Sequence, residues 1–284
     1  MIMKQDIVNI EQFEYWNEKS GPKWVKLDES LNERFSILTH ELFSRANIDK
    51  NDRVLDVGCG GGETSFQISK LVGNNGYVMG ADISETLLHF AKRKFSNIDN
   101  LDFNVCDVQN YKFGKNSFDK VTSRFGIMFF ENPIEAFKNI HFSLKNNGSL
   151  NFVCWSNMIE NEFFTEGIDI IGEYTKKTLS PSTKNPGPFA FSDKNYIEEI
   201  LKVSGFRDIK IDTVRTFIST KDTVEKDVKI LLNIGPRAKM LTEANLSNEK
   251  KLTIKNEIKK LCRKRQKNSE ITYEASLHYV SAVK

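Results

Sequence analysis

The chain has 284 residues, 39% of them hydrophobic and 28% charged, with a formal net charge of +3. Such a chain suits one large soluble domain, or a core with a cap, and excludes disordered and fibrous classes. No run of about 18 apolar residues predicts a spanning helix, and the polar first 30 residues lack a secretion signal, so a cytoplasmic protein is expected.

In chain order, two helices are predicted over residues 10–19 and 22–46, separated by Gly21-Pro22, where proline suits a first helical turn. A strand from Arg53 to Val57 carries Asp56 and runs into a loop containing Gly58, Cys59, Gly60, Gly61 and Gly62. A helix to about Leu71 follows, then the turn Asn74-Asn75-Gly76 and a second strand at 77–81 that ends on Asp82. Ser84 can cap a helix carrying Leu87, Leu88 and Ala91 on one face. Strands are predicted at 101–106 and 118–123, then a helix at 133–144 capped by Asn146-Asn147-Gly148, then a strand at 149–155. Strands alternating with helices imply an α/β, Rossmann-like parallel sheet with right-handed crossovers.

Regularity breaks after Trp155. Residues 156–191 form a mixed, aromatic segment, followed by a helix from Ser192 to Val203 and a strand near 207–214. Two more helices are predicted within 221–268, and Ile271 to Val283 alternates as a last strand. Read as regions of one structural domain, these are an N-terminal helical lid (1–47), a core (48–155), an acceptor-pocket insertion with its helix (156–205) and C-terminal strands with a helical insertion (206–284). Residues 247–267 hold nine Lys or Arg against two Glu, a local +7 that leaves −4 elsewhere. A solvated helix face, with Leu252, Ile258 and Leu261 turned inward, is preferred there over a nucleic-acid or acidic-membrane patch.

The glycine loop discriminates between cofactors. A dinucleotide fingerprint needs a third glycine where this chain has Glu63, and a pyrophosphate beside Asp56 and Glu63 would meet like charge. A ligand with a cationic amino acid, a ribose diol and an adenine would not. S-adenosylmethionine (SAM) has all three, and S-adenosylhomocysteine (SAH) would be its product.

Four stretches carry a family resemblance: Val54-Leu-Asp-Val-Gly-Cys-Gly-Gly-Gly62, Gly80-Ala-Asp-Ile-Ser84, Cys106-Asp-Val108 and Ser123-Arg-Phe-Gly-Ile-Met-Phe-Phe130. They resemble class I SAM-dependent methyltransferases, most of all the UbiE-like branch of ubiquinone/menaquinone C-methyltransferases, over roughly residues 10 to 215. The resemblance implies a seven-stranded, mostly parallel sheet whose last strand inserts antiparallel. It implies that Asp56 and the Gly58–Gly62 loop hold the methionine end, that Asp82 accepts the ribose hydroxyls and that Ile83 packs on the adenine. By the same resemblance Asp107 accepts from the adenine amino group beside Val108, and the backbone around Arg124 and Phe125 lines the methionine moiety. Tyr15, Trp16 and Trp24 would form an aromatic lid over the donor, tolerant of sulfonium charge.

Methyl transfer from a sulfonium needs mainly a near-attack arrangement, and a base only where the nucleophile holds a proton of high pKa. No catalytic residue is assigned; Tyr15 and His40 are the candidates to test. The four cysteines lack C-x-x-C spacing and His40, His89, His141 and His278 lack ligand spacing, so no metal is expected. Cys59, Cys106 and Cys154 fall at three strand ends, but buried small hydrophobes are the plainer reading than arsenic or thiol chemistry. The acceptor pocket is placed in 156–191 with the N-terminal helices, where Phe163, Phe164, Tyr174, Phe189 and Phe191 suit an apolar or aromatic small molecule. RNA methylation through the basic helix and a non-catalytic SAM-binding accessory role are the alternatives. No DNA partner is expected, and a monomer or homodimer is.

Overall fold

The computed structural model describes residues 7–178 and 184–284. Seven strands form one sheet: β1 (Arg53–Val57), β2 (Tyr77–Asp82), β3 (Leu101–Val105), β4 (Phe118–Arg124), β5 (Leu144–Trp155), β6 (Arg207–Thr220) and β7 (Ile271–Val283). Their order is β3-β2-β1-β4-β5-β7-β6. Only β7 runs antiparallel to its neighbours, pairing with β5 on one side and β6 on the other. Strand order reverses between β1 and β4, and in open α/β sheets a ligand crevice opens beyond the strand ends at that point. The central strand β1 is apolar on both faces, with Val54, Leu55 and Val57 at most 1% exposed, as a strand covered on both sides requires.

The crossover helices α4 (Glu63–Val72), α5 (Glu85–Lys94) and α6 (Pro133–Ser143) lie where the apolar spacing predicts. Ser84 caps α5, its Oγ accepting from Leu87 N–H at 3.2 Å. The predicted stop at Asn146-Asn147-Gly148 is corrected. The helix ends at Ser143, and those residues belong to β5, where Asn147 takes a φ of 63° beside a register shift between β4 and β5. A residue suited to a left-handed cap serves a β-bulge equally well.

Before the sheet come α1 (Ile10–Glu14), a π-helical turn at Tyr15–Lys19, α2 (Gly21–Arg34) and α3 (Ser36–Ala46). The single predicted helix 22–46 is thus two. Phe35 leaves helical geometry (φ −96°, ψ 9°) and sets its ring among Phe125, Trp155 and Phe163. That packing overrides a local sequence that would otherwise continue the helix.

Beyond β5 lie α7 (Glu162–Thr165), α8 (Ile168–Thr175) and α9 (Lys194–Val203), the last capped by Asp193. Residues 179–183 of the predicted acceptor segment lie outside the described residues. Between β6 and β7 stand three helices rather than two: α10 (Val224–Asn233), α11 (Gly235–Glu243) and α12 (Asn248–Arg265). Gly235 (φ +74°) followed by Pro236 makes the extra break, the same pair that opens α2. On α12 the inward stripe is Ile254, Ile258 and Cys262, whereas Leu252, expected inside, is 58% exposed. Several basic groups of that helix are paired, Lys259 with Glu225 and Arg265 with Glu162 and Glu166. No helix among the described residues is long and apolar enough to cross a membrane.

The buried Arg34 fastens α2 to this insertion. Its guanidinium meets Asp227 at 2.5 Å, and the Tyr273 hydroxyl donates to the same carboxylate at 2.6 Å.

Candidate active site

The loops after β1 and β4 meet at the switch point so closely that a Cβ on Gly58 would lie 2.4 Å from Gly126 Cα. Gly58, Gly60 and Gly62 all take positive φ, as a loop folded back on its own strand end demands. Above them opens a cavity of about 190 Å³. Its wall includes Gly58, Cys59, Gly60, Gly61, Asp82, Ile83, Asp107, Val108, Arg124, Phe125, Tyr15, Trp16 and Trp24, residues drawn together from four strand ends and the N-terminal helices.

Asp56 is not on that wall. Its carboxylate lies behind the loop and accepts from Thr64 Oγ1 at 2.6 Å and Ser65 Oγ at 2.7 Å, tying the start of α4 to β1. Burial raises its pKa despite those bonds. Gly62 likewise turns away from the cavity, packed against Phe103. Nor is His40 near it: the side chain stands on the exposed face of α3, so its candidacy as a base is withdrawn. The cysteines also separate. Cys59 and Cys106 border the cavity, while Cys154 is buried elsewhere, its Sγ directed at the carbonyls of Phe191 and His278. Burial pushes the Cys59, Cys106 and Cys154 thiols up, so all stay protonated. Among the described residues no three His, Cys, Asp or Glu side chains gather as a metal site.

Asp82 holds the loop in shape: Oδ2 accepts from Gly60 N–H and Oδ1 from Ser84 N–H, each at 2.8 Å. Burial pushes its pKa up to about 6 against these bonds. Ile83 N–H also bonds this carboxylate, and since a carboxylate offers about four lone-pair sites, some acceptor capacity remains. Asp107 differs. Its oxygens accept from Val8 N–H (3.0 Å), Asn9 N–H (2.9 Å), Asn9 Nδ2 (2.7 Å) and Gln109 N–H (3.1 Å), which fills it. The expectation that it receives an adenine amino group is therefore corrected.

At the glycine end, Glu63 and Asp28 share Lys94 at 3.1 and 2.8 Å. Burial raises Glu63, but hydrogen bonds from Gln67 and Lys94 win and hold its carboxyl below the usual range. Arg124 spans the cavity side to α2 and α3, donating to Asn32 Oδ1 at 2.6 Å and Thr39 Oγ1 at 2.7 Å. Burial lowers its pKa, and the carboxylates of Asp56, Glu63 and Asp28 offset part of that.

The roof is aromatic. Trp16 meets Trp24 and Phe129 edge to face at 5.7 and 5.2 Å, and Tyr15 packs on Trp16 at 5.5 Å. The Ser84 hydroxyl donates to Trp16 O, and Thr86 N–H donates to Asn17 Oδ1, which pins this segment to α5.

The other end of the cavity is apolar. Phe35, Phe125, Trp155, Phe163 and Phe164 line it with Leu31, Met128 and Ile234. Phe125 sits at φ +66°, a strained setting for a side-chain-bearing residue and one that recurs at functional sites. Of the aromatics predicted for this pocket, Phe163 and Phe164 reach it. Phe189 packs behind Phe164, Phe191 against Phe137, and Tyr174 is also off the wall. Sequence reasoning missed Ile234 and Gly235, although Gly235-Pro236 was a readable break, and missed Phe35, for which no local signal exists.

Comparison with known proteins points to the same class of enzyme. Residues 48–186 match the model of a methyltransferase domain family. The chain is similar to the demethylmenaquinone methyltransferase of Staphylococcus epidermidis, with 29% identity over 69% of this chain and 83% of that protein. It is also similar to the ubiquinone/menaquinone biosynthesis C-methyltransferase UbiE of Blochmanniella pennsylvanica, at 34% identity over 42% of this chain and half of that one. The chain is a SAM-dependent methyltransferase, and it is similar to the UbiE-like branch of class I. Among solved structures, Haemonchus contortus phosphoethanolamine N-methyltransferase 2, in complex with phosphomonomethylethanolamine and SAH, shares the methyltransferase's fold. The TM-score is 0.53 and the identity 20%, covering 87% of this chain and 52% of the longer worm protein.

Proposed function

We propose that this methyltransferase methylates a small, apolar aromatic acceptor, and that the residues around the cavity divide between donor and acceptor. The observation that carries this reading is the apolar end of the cavity, where Phe35, Phe125, Trp155, Phe163 and Phe164 converge without a His, Asp, Glu or Lys among them. The similar Staphylococcus epidermidis protein is a demethylmenaquinone methyltransferase by name, which supports the same choice.

The donor half suits SAM. Asp82 keeps acceptor capacity for a ribose hydroxyl. The Asp28 and Glu63 carboxylates beside Lys94 favour an ammonium, and the half-buried Arg124 guanidinium favours a carboxylate. The crowded backbone at Gly58 and Gly126 lets the loop lie flat against the ligand. SAM supplies an electrophilic methyl group. The protein positions the acceptor ring in line with it and excludes water beneath the Trp16–Trp24–Phe129 roof. No lining side chain at the apolar end can take a proton, so the acceptor must bring an already electron-rich atom, such as the ring carbon beside a self-ionised phenol. The C–CH3 bond forms as the S–CH3 bond breaks, releasing SAH, and the ring proton is lost to solvent when the methylated dienone re-aromatises.

The test is transfer of labelled methyl from SAM across a panel of demethylmenaquinol, simple phenols, amines, thiols and RNA. Turnover of apolar phenolic rings is expected. Turnover confined to amines, thiols or RNA would reject the reading.

A further inference from the structure

Gln109 together with Val8 and Asn9 of the N-terminal strap (residues 7–12) fills Asp107, so the adenine needs another acceptor. One helical turn after Asn9, Gln12 lines the same cavity. Its Oε1 is shut off from solvent and has no hydrogen-bond partner. Among the described residues the other buried, unpartnered side-chain atoms belong to Arg34 and Asp222, neither of which borders the cavity. Buried polar atoms rarely go unpaired, so an orphan acceptor beside a ligand cavity marks the place of a ligand donor.

We propose that Gln12 Oε1 accepts from the exocyclic amino group of the adenine, and that Asp107 serves instead to moor the strap that carries it. This rests on the reading of the cavity as a SAM site. The geometry orders the two ends: Asp82, after β2, keeps acceptor capacity for the ribose. Asn9, bonded to Asp107 after β3 and to Glu131 N–H at 2.6 Å, keeps Gln12 one helical turn from the Asp107 end of the cavity. An acceptor placed on the strap makes base recognition conditional on the strap being docked.

A site built around one hydrogen bond rejects the ligand that lacks it. The experiment is a calorimetric cycle with two ligands, SAH and its analogue bearing unsubstituted purine in place of adenine, on the wild-type chain and on Gln12→Met. Methionine matches glutamine in length and keeps the helix surface covered. The wild type should bind the purine analogue about tenfold more weakly than SAH, and Gln12→Met should bind both alike, with an unchanged melting temperature. An undiminished preference for SAH in Gln12→Met, or equal binding of both ligands by the wild type, would overturn the proposal. The wild-type arm does not depend on the variant folding. Failure of the wild type to bind SAH at all would instead strike the underlying SAM reading.

Discussion

Phe125 and Trp155 lie ring on ring, their centroids 4.4 Å apart and their planes 2° from parallel. The pair joins the ends of β4 and β5, with Phe125 N–H donating to Val153 O at 3.1 Å, and Phe35 closes on both rings from the break between α2 and α3. It forms one wall of the apolar end of the cavity, apart from the carboxylates at the glycine end.

Trp155→Ala should therefore separate stability from donor binding. Removing a side chain only 3% exposed should cost about 3–5 kcal/mol in urea unfolding. SAH affinity by calorimetry should hold within about threefold, since no wide electrostatic contact is lost. A large loss of SAH affinity in a folded variant would place the ring at the donor end instead.

Donor binding should weaken in acid. Burial, with Asp56 adding repulsion, lifts Asp82 to about 6. The ionised form accepts from hydroxyls and the protonated form loses one acceptor, so the SAH dissociation constant should rise as pH falls through about 6. Above that value it should level off. In the empty protein the shift has the other consequence. The folded state holds this proton more tightly than the unfolded chain, so the group's contribution to stability is present at low pH and is lost as pH rises through about 6. Asp82→Asn should abolish both trends, and calorimetric titration across this range checks the first.

The fully buried Arg34–Asp227 pair should be costly to break and cheap to replace. Asp227→Ala strands a guanidinium in the core and should cost about 3–5 kcal/mol, while the double variant Arg34→Met with Asp227→Leu should cost much less. Denaturant midpoints of the two variants decide this.

Two glycines of one loop should respond differently. At Gly58 an added Cβ meets Gly126 Cα at 2.4 Å as well as a φ of +67°, so Gly58→Ala should push the β1 and β4 loops apart and lower SAH affinity by about tenfold or more. Gly60 (φ +57°) has nothing within 4 Å of such an atom, so Gly60→Ala should cost only the about 1–2 kcal/mol of a left-handed alanine. Thermal melts and fluorescence titration of both variants separate steric overlap from backbone strain.

The order of elements through β5 and the α/β class could be read from the chain because their signals are local. Apolar strands buried on both faces, a capping Ser84 and a loop needing positive φ at Gly58 and Gly60 are each visible within a few residues. Contacts between distant segments leave no such mark. Phe35 breaks a continuous helical pattern only because Phe125, Trp155 and Phe163 receive its ring. Asp107 looks like a free strand-end carboxylate until Asn9, 98 residues earlier, occupies it. Arg34 has no local reason to be buried without Asp227, 193 residues later. By itself the sequence determined the strand–helix alternation and the glycine loop with the donor it suits, through short-range stereochemistry, while the seven-stranded sheet with its antiparallel last strand was implied by the family resemblance. Only the tertiary structure decided which acids face the cavity, because burial and occupied lone pairs are set by neighbours far along the chain.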